Sequence, residues 1–192
     1  MILNIARIAL VGVWLIGAAS ASAQPITVAD LQRLLQEAPK REMRFHETRE
    51  SPWAETSIVS SGRMTVSADM LEKKVEQPRR ETWRILPDRM QLIVPGAAAP
   101  KELMFSESPA VAALANALRQ AVAGDLQALD KDFVLVLGGD ERLWTLQLTP
   151  RRQDLARALK QLELQGTGPQ LQVIVILERH GERTTTRLTA EP

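Results

Sequence analysis

The sequence predicts an α+β fold: a strongly curved antiparallel sheet of about ten to eleven strands, with helices lying in its concave face. Three observations carry this reading. Short β-type runs follow one another from Met43 to Ser106 with turn signals between them and no helical stretch among them. The first limb of a hairpin over Phe133–Pro150 (FVLVLGGDERLWTLQLTP) and the run Val173-Ile174-Val175-Ile176-Leu177 are apolar throughout, so both faces of these strands call for a cover. Nothing supplies the crossover helices of a parallel sheet, so the cover has to be a second layer of sheet or helices lying on the wall. Helices lying in the hollow of a curved sheet satisfy this and leave an apolar trough beneath them.

The fold is expected to begin after a leader. Arg7 gives a short basic start, and Ile8 to Ala19 is apolar except for Gly12 and Gly17. Ala21-Ser22-Ala23 is the small-residue pattern of a signal peptidase site, which predicts cleavage after Ala23 and export to the periplasm. The apolar run is shorter than the ~20 residues of a spanning helix. Residues 24–192 then form one domain. The chain has no cysteine, which excludes disulfides, thiolate chemistry, cysteine metal sites and a lipobox-type anchor. Its 24 Lys plus Arg face 23 Asp plus Glu, and losing Arg7 with the leader brings the formal charge to zero. That balance argues against a nucleic-acid or anionic-membrane binder, which would carry a basic face.

Taken in order, Thr27 and Asp30 form a near capping box for a helix with its stripe at Val28, Leu31, Leu34, Leu35 and Ala38, ended by Pro39. Six strands follow: Met43–Thr48, Ser57–Val66 with a bend at Gly62, Leu71–Val75 before Gln77-Pro78, Glu81–Leu86, Arg89–Val94 and Lys101–Ser106. Ser108-Pro109 starts a second helix, with a serine cap and a proline at the first helical position. Val111, Leu114, Leu118 and Val122 are its expected stripe, and Gly124 closes it as a left-handed cap. Its remaining faces are mostly alanine, which fits either a core helix or a movable cover. The central hairpin turns at Gly138-Gly139-Asp140-Glu141, and Trp144, Leu146 and Leu148 alternate with polar residues on its return limb, which Pro150 ends. A helical turn over Asp154–Leu159 and strands at Leu162–Gln165, Leu171–Glu178 and Arg183–Thr189 complete the chain. Beyond the leader, five methionines (43, 64, 70, 90 and 104) serve either as gap fillers in the core or as a reshapeable apolar surface.

The order of these elements resembles the periplasmic outer-membrane lipoprotein carriers of LolA type. Local likenesses are Met43-Arg44-Phe45-His46-Glu47-Thr48 to the family's F-x-A-x-F-x-Q run, and Gly62 through Met70-Leu71 to Val75 and Gln77-Pro78 to its G-x-L, apolar pair and Q-P. Phe133-Val134-Leu135 is similar to its F-x-L segment, and the final strand pair turns at His180-Gly181. The resemblance implies an unclosed half-barrel whose apolar concave face is lidded by helices and holds acyl chains. The best-known carriers place a lid-latching arginine before the apolar pair; here that position is Ser67.

Chemistry of other kinds finds little footing. His46 and His180 are the only histidines, and no H-x-x-x-H spacing or G-x-S-x-G motif exists. Asp130, Asp132, Asp140 and Glu141 flank turns and read as solvated charge. With the resemblance above, the expectation is a monomeric carrier, and these residues add no catalytic site, metal or cofactor to it. Its acylated lipoprotein or lipid cargo would be lined by Phe45, Met64, Trp83, Leu92, Leu135, Trp144, Leu146 and Val175, under a lid carrying Val111, Leu114, Leu118 and Val122. An inner-membrane donor and an outer-membrane acceptor would be its partners. The alternatives are an envelope-stress or partner-binding module on the same fold, and a hydrolase.

Overall fold

The computed structural model describes residues 25–37, 42–67 and 69–190. The expected leader and the helix stop at Pro39 lie outside the described residues. Helix α1 (Val28–Glu37) leads into strands β1 (Met43–Glu50), β2 (Ile58–Val66), β3 (Leu71–Gln77), β4 (Glu81–Ile85), β5 (Arg89–Ile93) and β6 (Lys101–Met104). Helix α2 (Pro109–Ala123) and a 3-10 turn (Gln127–Lys131) separate these from β7 (Phe133–Gly139) and β8 (Trp144–Pro150). Helix α3 (Gln153–Ala158) then precedes β9 (Leu159–Thr167), β10 (Gln170–Glu178) and β11 (Arg183–Ala190).

All eleven strands join one antiparallel sheet in the order β6-β5-β4-β3-β2-β1-β11-β10-β9-β8-β7. The two ends, β6 and β7, are not paired to each other, so the wall is an unclosed, curved half-barrel with helices over its hollow side. The seam between the chain's first and last strands is the β1–β11 ladder, which pairs Phe45 with Leu188 and Glu47 with Thr186. Because side chains alternate across a strand, these registers define the row of residues on the concave face.

Local chemistry explains the elements. Thr27 and Asp30 cap α1 reciprocally: the Asp30 N–H donates to Thr27 Oγ1 and the Thr27 N–H to Asp30 Oδ2, both at 3.2 Å. Gly62 marks the register shift between β2 and β3, where a Cβ would stand 2.0 Å from the Lys74 carbonyl oxygen. Gly124 ends α2 at φ 77°, with its N–H donating to Ala121 O.

Four expectations change. Ser108 occupies the cap position of α2, but its hydroxyl makes no capping bond; only its carbonyl is used, accepting the Ala112 N–H at 2.9 Å. The first limb of the central hairpin is covered on one face only: β7 is an edge strand, and Val134 and Val136 face out. The hairpin turn falls two residues later than the sequence predicts, since Gly138 and Gly139 are still paired to Thr145 and Trp144 and the chain reverses over residues 140–143. The Asp140 carboxylate holds that reversal by accepting the Arg142 and Leu143 N–H groups, which keep its pKa below the usual range. Finally, the most buried side of α2 is its alanine face. Ala113, Ala115, Ala117 and Ala121 are buried, while Leu114, Leu118 and Val122 are half-buried. Small side chains let α2 approach its neighbours closely, leaving its larger residues turned toward the hollow.

Candidate functional site: a lidded cavity with a charged wall

The concave face divides into two unlike halves. Over β7–β9 it is filled: Trp144, Leu146, Leu148, Leu162 and Leu164 are fully buried together with Leu31 of α1, Leu129 of the 3-10 turn and Leu155 of α3. Over β2–β4, with β10 and β11, it is hollow. A cavity of about 600 Å³ lies there, bounded above by Leu118 and Val122 of α2. Its apolar wall comes from Met64, Leu71, Val75, Trp83, Ile85, Met90, Ile174 and Ile176.

The lining expected from the sequence is distributed unevenly. Met64 and Trp83 stand in the cavity wall. Phe45 is buried and does not meet the open space, because the Lys73 ammonium covers its ring at 4.8 Å from the centroid. Leu92 is the register partner of Trp83, but on β5 the lining reaches only as far as Met90. Leu135, Trp144 and Leu146 belong to the filled half; the Trp144 indole N–H donates to Gly168 O at 2.9 Å. Val175 is off by one residue: Ile174 and Ile176 face the cavity, so Val175 points to the opposite face. Of the lid positions, Leu118 and Val122 line the space, Leu114 packs on the core and Val111 does neither.

The residues not anticipated are charged. Lys73 Nζ donates to Glu47 Oε1 at 2.6 Å, and the buried Thr186 hydroxyl donates to Glu47 Oε2 at 2.7 Å. Around them the wall carries Arg49, Arg79, Glu81 and Thr184. Arg49 donates to Glu182 at 3.1 Å and lies 3.8 Å from Glu178. That bond from Arg49 lowers the Glu182 pKa, whereas burial, and then the neighbouring Glu182, raise that of Glu178. A signal for this group was present: strict alternation puts Glu47 and Arg49 on the same side of β1 as Phe45.

A second, polar cleft of about 420 Å³ lies against another side of α2, with Asn116, Arg119, Lys131, Asp132 and Arg152 in its walls. His46 and His180 are both exposed, and among the described residues no group of three His, Asp or Glu could hold a metal ion. No helix among them is long and apolar enough to cross a membrane.

The family model described as "Outer membrane lipoprotein carrier protein LolA-like" matches residues 18–191. The chain belongs to this LolA-like family. Among solved structures, one similar to it is a LolA superfamily protein, NE2245, from Nitrosomonas europaea, at 11% identity and TM-score 0.46, covering 85% of this chain and 92% of that one. Another is a putative outer membrane lipoprotein-sorting protein domain from Vibrio parahaemolyticus, at 10% identity and TM-score 0.43, with 84% and 88% covered. A DUF1329 family protein from Desulfovibrio piger is similar at 9% identity and TM-score 0.45, with 84% and 90% covered. No curated protein matches the chain. Within the LolA-like half-barrel, Ser67 is exposed in the β2–β3 turn, where its N–H and hydroxyl both donate to Met70 O, at 2.9 and 3.3 Å.

Proposed function

We propose that this LolA-like protein is an exported periplasmic carrier that binds the acyl part of a lipoprotein or another lipid in the cavity beneath α2 and passes it toward the outer membrane. The observation that supports this is the hollow half of the sheet: a space of about 600 Å³ with an aliphatic and aromatic wall, roofed by Leu118 and Val122. Burial of hydrocarbon drives loading, at roughly 0.8 kcal/mol per methylene. Release to a stronger acceptor follows because an apolar wall grips chains by area and not by shape. A donor at the inner membrane and an acceptor at the outer membrane complete such a role.

Native mass spectrometry of protein purified from the periplasm tests it. Co-purified acylated molecules, lost on solvent extraction, are expected; protein that is always empty and takes up no apolar dye would refute it. A partner-binding module on the same fold is the second reading. It is favoured by the exposed Trp53, Ile58 and Val59 between β1 and the start of β2, and it requires a stable protein complex in place of a lipid.

A further inference from the structure

The wall of the cavity is not neutral. Its lining holds three cationic side chains, Arg49, Lys73 and Arg79, against two carboxylates, Glu47 and Glu81. Each carboxylate is already engaged: Glu47 by Lys73 and Thr186, Glu81 by the Trp83 indole N–H at 2.9 Å. Arg49 is tied to Glu182. Arg79 is exposed at the β3–β4 turn and, among the described residues, makes no hydrogen bond or ion pair. Lys73 gives one proton to Glu47 and keeps two for other acceptors. A trough for hydrocarbon alone gains nothing from such groups, since a partly buried ion pair forfeits hydration that an apolar pair would not need.

We propose that the cargo is an anionic amphiphile: a fatty chain with an oxyanion head, carboxylate or phosphate. Its chain lies along Met64, Trp83, Ile174 and Ile176, and its head is taken by Arg79 with Lys73. This rests on the carrier reading above and names the chemistry of what is carried. Guanidinium and ammonium supply charge-assisted hydrogen bonds to such a head: Arg79 from the exposed turn and Lys73 from the part-buried wall.

The test compares cis-parinaric acid with its methyl ester at pH 8 by fluorescence titration of the full protein. Displacement of the acid by lysophosphatidate and by monoacylglycerol repeats the contrast for a phosphate head. The charged member of at least one pair is expected to bind about ten-fold tighter, the usual scale of a charge-assisted hydrogen bond. Arg79→Gln, an exposed change, should bring that ratio close to one by weakening the acid more than the ester. The double variant Glu47→Gln/Lys73→Met, which leaves no lone buried charge, should reduce the ratio as well. Equal binding of charged and neutral members in both pairs overturns the anionic head and leaves the carrier standing. A preference that survives both variants overturns the assignment to Arg79 and Lys73. Binding of no probe at all removes the carrier reading itself.

Discussion

Lys73 Nζ of β3 stands 2.6 Å from Glu47 Oε1 of β1, with less than a quarter of either side chain exposed. The pair joins β3 to β1 over the intervening β2, inside a wall that is otherwise largely apolar. Lys73→Met should therefore destabilise the protein by about 1–3 kcal/mol, because Glu47 is left part-buried without its cation. Adding Glu47→Gln should restore most of the loss. Urea unfolding of the two singles and the double, read as a cycle, checks this.

The reversed polarity of α2 makes a second prediction. Ala117 is about 1% exposed, so Ala117→Leu should cost about 1–3 kcal/mol through overpacking. Leu118→Ala, on the cavity side, should cost only about 1 kcal/mol, since its side chain is half-buried beside an existing void. Thermal unfolding ranks the two, and the stripe read from the sequence implies the opposite order.

Gly62 and Gly166 are closed to side chains for different reasons. A Cβ on Gly62 meets backbone, whereas one on Gly166 meets the Trp144 ring at 2.2 Å and Gln170 O at 2.3 Å. Both alanine variants should lose about 2–3 kcal/mol in urea midpoint measurements at unchanged slope. Gly166→Ala alone should also shift the Trp144 emission.

The tryptophans report separate regions. Trp53 is 81% exposed, Trp144 is fully buried and Trp83 lines the cavity. In single-tryptophan variants acrylamide should quench Trp53 strongly and Trp144 hardly at all. Quenching of Trp83 alone should fall when an apolar ligand fills the space.

Acid should loosen the start of α1 through Asp30. Its carboxylate is held below the usual pKa, first by the Thr27 hydroxyl, then by the Thr27 N–H and by Arg33. A depressed carboxylate stabilises the fold fully above its unfolded-state pKa, and that contribution is lost as pH falls through the lower folded value. Stability measured by urea unfolding across that acid window should fall less steeply in Asp30→Asn than in the parent.

Part of this structure is legible in the sequence and part is not. Strand alternation, turn glycines and the Thr27–Asp30 box are local signals, and they place the meander, both long helices and the hairpins. Which residues meet the open space is not local. Leu146 and Trp83 look alike in sequence, each alternating with polar neighbours, yet one lies under packed helices and the other beside a void. For Val175 the cause is subtler: in a run apolar throughout, nothing in the pattern says which parity looks inward. Lys73 and Glu47, 26 positions apart in the chain, meet only through the β1–β2–β3 register, which no spacing rule reveals.

The partition of the concave wall has an evolutionary corollary. The side chains that hold the molecule together, around Leu146 and Leu164, are largely separate from those that shape the space beside Met64 and Trp83. Substitutions at well-separated sites add nearly independently. If the void holds a cargo as proposed, drift around it is free to retune what is accepted, while the dense side keeps its architecture constant. Diversity of contents within one unchanging frame is what such a layout permits.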